Sequence, residues 1–279
     1  MIDIQSLTFT YQDEKKPALN DVSLTVPEGG FLGVIGPAGA GKTTLARAIS
    51  GVIPHHYAGD YYGAVTVGGL DTVDTPLTDL SRIIGMVFQD VDSQIISSVV
   101  EDELLYGLEN FGVPHGEIPS RLDQALARVG IRELRSRSIA SLSGGQRQKV
   151  AIASVLALQP RVLVLDEPTG ELDPFSSRQI FSLLKTLNED HGVTVVVIEQ
   201  KIMLLGEFAR SLAVLDQGRI VRQGDTRQVL SHADELEALG VNCPRVARLS
   251  QMLSEKTGEK LPVCVNLEEA ERMVRGLIA

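Results

Sequence analysis

An α/β fold with crossover helices around a central sheet is predicted by three observations in the 279-residue chain. Strand-like and helix-like patterns alternate along it, as expected of a sheet built from βα units. The apolar run Phe31-Leu32-Gly33-Val34-Ile35 leads directly into Gly36-Pro37-Ala38-Gly39-Ala40-Gly41-Lys42-Thr43, a full G-x-x-x-x-G-K-[ST] phosphate-binding loop. Between Gln89 and Leu142 the strand pattern stops and a helical one replaces it.

The elements follow in order. Ile2 and Ile4 alternate as in a strand, and Leu7-Thr8-Phe9 continues it. After the phosphate loop, Thr44–Ile49 reads as a helix ended by Gly51, so the loop has the strand-before, helix-after context that makes it an anion site. Buried strands are expected at Ile83–Phe88, Val162–Leu165, Val193–Ile198 and Ser211–Leu215, with a hairpin over Val214–Gly224. Leu122, Ala125, Leu126 and Val129 fall at i, i+3, i+4 and i+7 of an amphipathic helix, which marks an inserted helical subdomain at about 90–158. Leu183, Leu184 and Leu187 share one face of a helix between two strands. Residues 1–224 then form the nucleotide-handling domain and 225–279 a C-terminal extension.

Composition narrows the partners. The net charge of −10 and the lack of a Lys/Arg block argue against nucleic acid. Cys243 and Cys264, the only cysteines, stand in no metal-like spacing, which favours a reducing compartment over disulfides or zinc. No apolar run approaches the roughly 18 residues of a membrane span, so service to a membrane is expected to run through a partner.

The phosphate loop chemistry is explicit. Backbone N–H groups approach an anion where glycines leave room, and the next helix points its positive end at the same place. Lys42 is placed to neutralise the β- and γ-phosphates of ATP, and Thr43 to put a hydroxyl on Mg²⁺. Downstream, Arg161–Pro168 supplies an apolar strand ending in Asp166, a second holder of the metal, and Glu167, which polarises the attacking water. Leu142-Ser143-Gly144-Gly145-Gln146 precedes a helix over Arg147–Leu158 and forms a second anion site at a helix N-terminus.

These three motifs in this order resemble the ATPase subunit of an ATP-binding-cassette (ABC) transporter. The resemblance implies a P-loop NTPase cassette with a mixed sheet core, an N-terminal antiparallel β part, the inserted helical subdomain and the C-terminal extension. It implies that Leu142–Gln146 closes over the γ-phosphate bound to a second ATPase subunit, identical or homologous, in a head-to-tail dimer. The short run from Gly144 to Asp166 leaves no room for the coiled coil of chromosome-maintenance relatives. Tyr11 matches the aromatic that stacks on adenine, Gln89 the glutamine that senses Mg²⁺ and the γ-phosphate, and Asp173 a residue that bonds across the dimer. Thr44 closes the nucleotide-contacting set.

One position departs from the pattern. Where the family places a histidine on the γ-phosphate, this chain has Gln200, and the nearest histidine, His191, lies at the opposite end of a strand, about 20 Å away. A glutamine donates a hydrogen bond but cannot become cationic, so hydrolysis at this chain's own site is expected to be slow. Val87–Asp90, Asp92–Ile96, Val99–Glu103, Gly107–Asn110 and Gly51–His55 resemble the energy-coupling-factor ATPases of vitamin and metal-ion uptake, although Val91 stands where a proline is usual. That resemblance implies a peripheral position on the cytoplasmic face of the cell membrane. It also implies a transmembrane coupling protein and a small membrane substrate-binding subunit as partners, and an extension that helps the ATPases dimerise. Gln94–Val99 is either a docking groove for the coupling protein or core of the helical subdomain. A soluble ABC ATPase acting on a macromolecular complex, or a non-catalytic regulatory cassette, are the competing readings.

Overall fold

The computed structural model describes residues 1–278. Two sheets make up its β structure. A four-stranded antiparallel sheet contains β1 (Ile2–Tyr11), β2 (Leu19–Val26), β4 (Gly59–Val67) and β5 (Leu70–Asp71), in the order β2-β1-β4-β5. A six-stranded sheet contains β3 (Phe31–Ile35), β6 (Ile84–Val87), β7 (Val162–Asp166), β8 (Thr194–Ile198), β9 (Ser211–Asp216) and β10 (Arg219–Asp225), in the order β10-β9-β3-β8-β7-β6. All its pairings are parallel except β10 on β9, so the sheet is mixed through one antiparallel edge strand.

The burial of this sheet follows from its two-sided covering. Every residue of β3, β7 and β8 is buried, the pattern of a parallel sheet covered on both faces. Side chains alternate between two cores with period two. Phe31, Leu163, Leu165, Val195 and Val197 face the core shared with helices Gly144–Ala157 and Pro174–Glu189. Leu32, Val34, Val164, Val196 and Ile198 face the core shared with the antiparallel sheet and the helix Lys42–Ile49. Leu183, Leu184 and Leu187 are buried as their helical spacing requires.

The sequence between β6 and β7 folds into helices Val91–Gln94, Val100–Asn110, Ile118–Arg128 and Gly144–Ala157. Leu122, Ala125 and Leu126 are buried in the third of these, and Val129 is buried just past its end. Beyond β10, helices Arg245–Thr257 and Leu267–Ile278 enclose a small cluster of Val246, Cys264 and Ala270. Val229, Leu230, Leu236, Val241, Ala247 and Val265 join one of the two main cores, so the extension packs against the sheet domain.

The strand order places the site. Neighbouring strands β3, β8, β7 and β6 end on the same edge, and each hands over to a different loop carrying predicted chemistry. In open α/β sheets ligands bind outside these carboxyl ends.

Candidate nucleotide site

The phosphate loop is shaped by glycines that other residues cannot replace. Gly41 caps the helix Lys42–Ile49 at φ 100°, and a Cβ there would stand 2.3 Å from the Ala18 carbonyl oxygen. At Gly36 a Cβ would lie 2.0 Å from the Leu215 carbonyl oxygen. Gly41→Ala is therefore expected to destabilise the protein by about 2 kcal/mol or more, combining left-handed strain with a backbone clash. Denaturant unfolding checks this, and an unchanged midpoint would show that the loop rearranges freely.

Lys42 is buried at the floor of the loop, where its Nζ donates to the carbonyls of Gly36 and Pro37 at 2.9 Å each. Burial lowers its pKa from the ordinary lysine value, and the carboxylates of Glu167 and Asp166 oppose that shift. Asp166, 2% exposed at the end of β7, has its carboxyl pKa raised mainly by burial, while the Thr43 hydroxyl lowers it. Its Oδ1 has no hydrogen-bond partner. A buried carboxylate oxygen left without a partner is the donor a divalent cation relieves, and the adjacent hydroxyl supplies a second oxygen ligand. The residues present thus fit Mg²⁺.

Glu167 follows in the left-handed region, at φ 47°, with its N–H fixed on the Ile198 carbonyl at 2.8 Å. Backbone strain of this kind persists where surrounding contacts over-determine it. Two side-chain amides hold its carboxylate from opposite strands. Gln89 Nε2, after β6, donates to Oε2 at 3.1 Å, and Gln200 Nε2, after β8, donates to Oε1 at 2.7 Å. Gln200 is thus placed on the carboxylate by its own hydrogen bond.

Tyr11 ends β1 beside the phosphate-loop helix. Its hydroxyl lies 3.2 Å from Thr44 Oγ1 and accepts from Arg47 Nη1 at 3.2 Å, while its ring meets Phe9 and Tyr57 edge-on. The Arg47 guanidinium also covers the Tyr57 ring at 4.4 Å. Arg47 and Tyr57 escaped the sequence reading, since only the pairing of β1 with β4 brings the segment around Tyr57 close to Tyr11.

Ser143 caps the helix Gly144–Ala157 in a capping box, its Oγ accepting from Gln146 N while Gln146 Oε1 accepts from Ser143 N. Leu142 is buried, and Ser143 and Gly144 are exposed. Among the described residues no hydrogen bond joins Leu142–Gln146 to the phosphate loop. Gly144 lines a cleft of about 480 Å³ with Gln89 and Glu167, whereas Ser143, Gly145 and Gln146 open onto a separate hollow beside Lys149 and Ser176. Asp173 caps its own helix, Oδ1 accepting from Phe175 N at 2.9 Å and Ser176 N at 3.0 Å.

A phosphate loop, a buried acidic strand end and a separate helix-terminal glycine loop on one α/β sheet define a P-loop ATPase cassette. Residues 19–170 match the family described as ABC transporter, and the chain belongs to it. It is 38% identical over 257 residues to the energy-coupling factor transporter ATP-binding protein EcfA of Enterococcus faecium, covering 92% of this chain and 90% of that one. Its structure is similar to CbiO1 of Clostridium perfringens, described as part of the ABC transporter complex CbiONQ. That match has TM-score 0.76 and 30% identity, and covers 89% of this chain and 97% of the other. It is also similar to the cassette MJ0796 in a dimeric post-hydrolysis state with ADP and Pi, at TM-score 0.70 and 29% identity, covering 81% and 99%. The chain is an ATP-binding, ATP-hydrolysing subunit of the ABC type. No helix among its described residues is long and apolar enough to cross a membrane.

Proposed function

We propose that this chain powers an uptake transporter of the energy-coupling-factor type from the cytoplasmic face of the membrane. It would do so as one of two ATPase subunits beneath a transmembrane coupling protein and a small substrate-binding subunit. The observation that carries the reading is that likeness to EcfA runs over 92% of the chain, and so extends into the segment after residue 225 as well as the cassette. The likeness to CbiO1, from an ABC transporter complex, supports it.

At the site, Lys42 and the backbone donors of Gly36–Gly41 bind the phosphates, and Tyr11 offers its ring to the base. Thr43 and Asp166, with Gln89, would hold Mg²⁺, which when bound would neutralise charge on the β- and γ-phosphates. Glu167 orients and polarises water, and the amides of Gln89 and Gln200 fix its carboxylate. Ser143 and its glycines present the second anion site to ATP on the partner subunit. Closure over ATP and opening after hydrolysis then move the helical subdomain and whatever it grips. Because Gln200 is neutral, this chain's own site is the slower of the pair when its partner carries a histidine there.

Of the apolar residues in Gln94–Val99, Ile96 alone is exposed. Ile95 is half-buried and packs on the core beside the helical subdomain, whereas Ile96 is 67% exposed. Ile96→Asp is expected to abolish substrate uptake in membrane vesicles while ATP affinity stays within about twofold, since one desolvated charge in an apolar contact is prohibitive. Unchanged uptake would remove this surface from the docking scheme. The transporter reading itself is tested by purification from detergent-solubilised membranes and mass identification of the subunits. Recovery of the chain without a multi-span partner would overturn it.

A further inference from the structure

We propose that Lys201 is a positioning residue that clamps the loop Gly170–Asp173 to the loop carrying Gln200, so that hydrolysis at this site follows the state of the subunit interface. The inference rests on the assignment of Glu167 and Gln200 to hydrolysis and adds a residue to which no role has been given.

The two loops leave adjacent parallel strands, β7 and β8, with Asp166 and Ile198 in register. Three residues in succession then reach from the β8 loop to the β7 loop. Glu199, 1% exposed, accepts from the backbone N–H of Thr169 at 3.3 Å and from its hydroxyl at 3.0 Å. Gln200 donates to Glu167. Lys201 Nζ donates to the carbonyl of Thr169, to the carbonyl of Leu172 at 2.9 Å and to Ser177 Oγ at 3.1 Å.

An ammonium has three protons, and all three are used. Lys201 is therefore not available to a phosphate. What it gathers is a tight turn, Leu172 N–H on Thr169 O at 3.1 Å, and the first turn of the helix that Asp173 caps. Thr169 and Ser177 are fully buried, so the ammonium closes the inner side of a loop whose outer residues, Gly170, Glu171 and Asp173, are exposed. Charge-assisted bonds to carbonyls resist loosening more than neutral ones. A displacement of the exposed turn is thus carried through Thr169 and Lys201 to the backbone beside Gln200, and from its amide to the carboxylate of Glu167. The segment on which a facing subunit would press is mechanically continuous with the group that orients water.

The test measures ATP hydrolysis at this site alone, in an assembly whose partner already lacks its matching glutamate, for wild type, Lys201→Met and Lys201→Arg. Lys201→Met keeps the stem and removes the three donors. It is expected to lower kcat about 10- to 100-fold, the cost of a reacting group misplaced by a fraction of an ångström to an ångström, with KM for ATP within about twofold. Lys201→Arg, which restores charged donors, is expected to recover most of the loss. Unchanged kcat in Lys201→Met, a loss appearing mainly in KM, or no recovery with arginine would overturn the clamp. If Lys201→Met does not fold, Ser177→Ala decides. It removes one of the three acceptors of the Lys201 ammonium, and a fall in kcat of about threefold or more at constant KM supports the clamp, whereas unchanged kcat refutes it. Glu167→Gln separates this from the site assignment: full activity in that variant would sink the assignment, whereas an inactive Glu167→Gln beside a fully active Lys201→Met sinks the clamp alone.

Discussion

ATP hydrolysis at this chain's own site is expected to fall by about 10²-fold or more when Glu167 is replaced by glutamine, the usual contribution of a positioned acid–base group. The change preserves shape and replaces an acceptor-only carboxylate by an amide that can no longer receive bonds from both Gln89 Nε2 and Gln200 Nε2 at both oxygens. ATP binding is expected to persist, because Lys42 and the phosphate loop are untouched. The measurement is single-turnover hydrolysis in an assembly whose partner already lacks its matching glutamate, so that only this site reports. In the converse arrangement, with the partner intact and Glu167 replaced, steady-state turnover should fall much less if Gln200 makes this site the slow one. Equal losses in the two arrangements would end the asymmetric scheme.

The second large effect concerns binding. Lys42→Ala is expected to weaken ATP affinity by about 10- to 100-fold, since hydrogen bonds to charged groups contribute about 1.5–3 kcal/mol. In the structure its ammonium is held by the carbonyls of Gly36 and Pro37 at the floor of the loop. The carboxylates of Asp166 and Glu167 favour its charged form against burial. Removing the side chain leaves Asp166 less compensated, so the variant should also bind Mg²⁺–nucleotide with a changed metal dependence. Isothermal titration with ATP at fixed Mg²⁺ reads the affinity, and a loss below about threefold would place the phosphate charge elsewhere.

Much of this was legible from residue order alone, and the reasons differ by element. The buried strands Val162–Asp166 and Thr194–Ile198 announce themselves by the unbroken apolar runs Val162–Leu165 and Val195–Ile198, because both faces of a parallel sheet are covered. The phosphate loop is legible because its chemistry is local: the glycines, Lys42 and Thr43 lie within eight consecutive residues. The strands Leu19–Val26 and Gly59–Val67 were not legible. In β2 the alternation is confined to Val22, Leu24 and Val26, and in β4 only Val65 and Val67 are buried, so each signal is short. Lys201 was equally hidden. Its partners Thr169, Leu172 and Ser177 stand 24 to 32 residues away in sequence, and only the adjacency of β7 and β8 brings them together. Gln200 was noticed as a substitution, but its bond to Glu167 is a product of the same adjacency. Asp173 carries a second duty that its position in a motif does not disclose, the capping of its own helix.

The order β10-β9-β3-β8-β7-β6 has a consequence for how the protein comes into being. β3 carries the phosphate loop and emerges early, yet both of its neighbours, β8 and β9, are synthesised more than 150 residues later. Until then the nascent chain holds a loop able to attract phosphate on a strand with no sheet to join. Such long-range pairing is slow and leaves apolar edges open in the interval. A ribosome that stalls between residues 167 and 194 therefore releases a product with Lys42, Asp166 and Glu167 all present but without β8 and β9 to hold them in line, a reason for the cell to clear such truncated copies promptly.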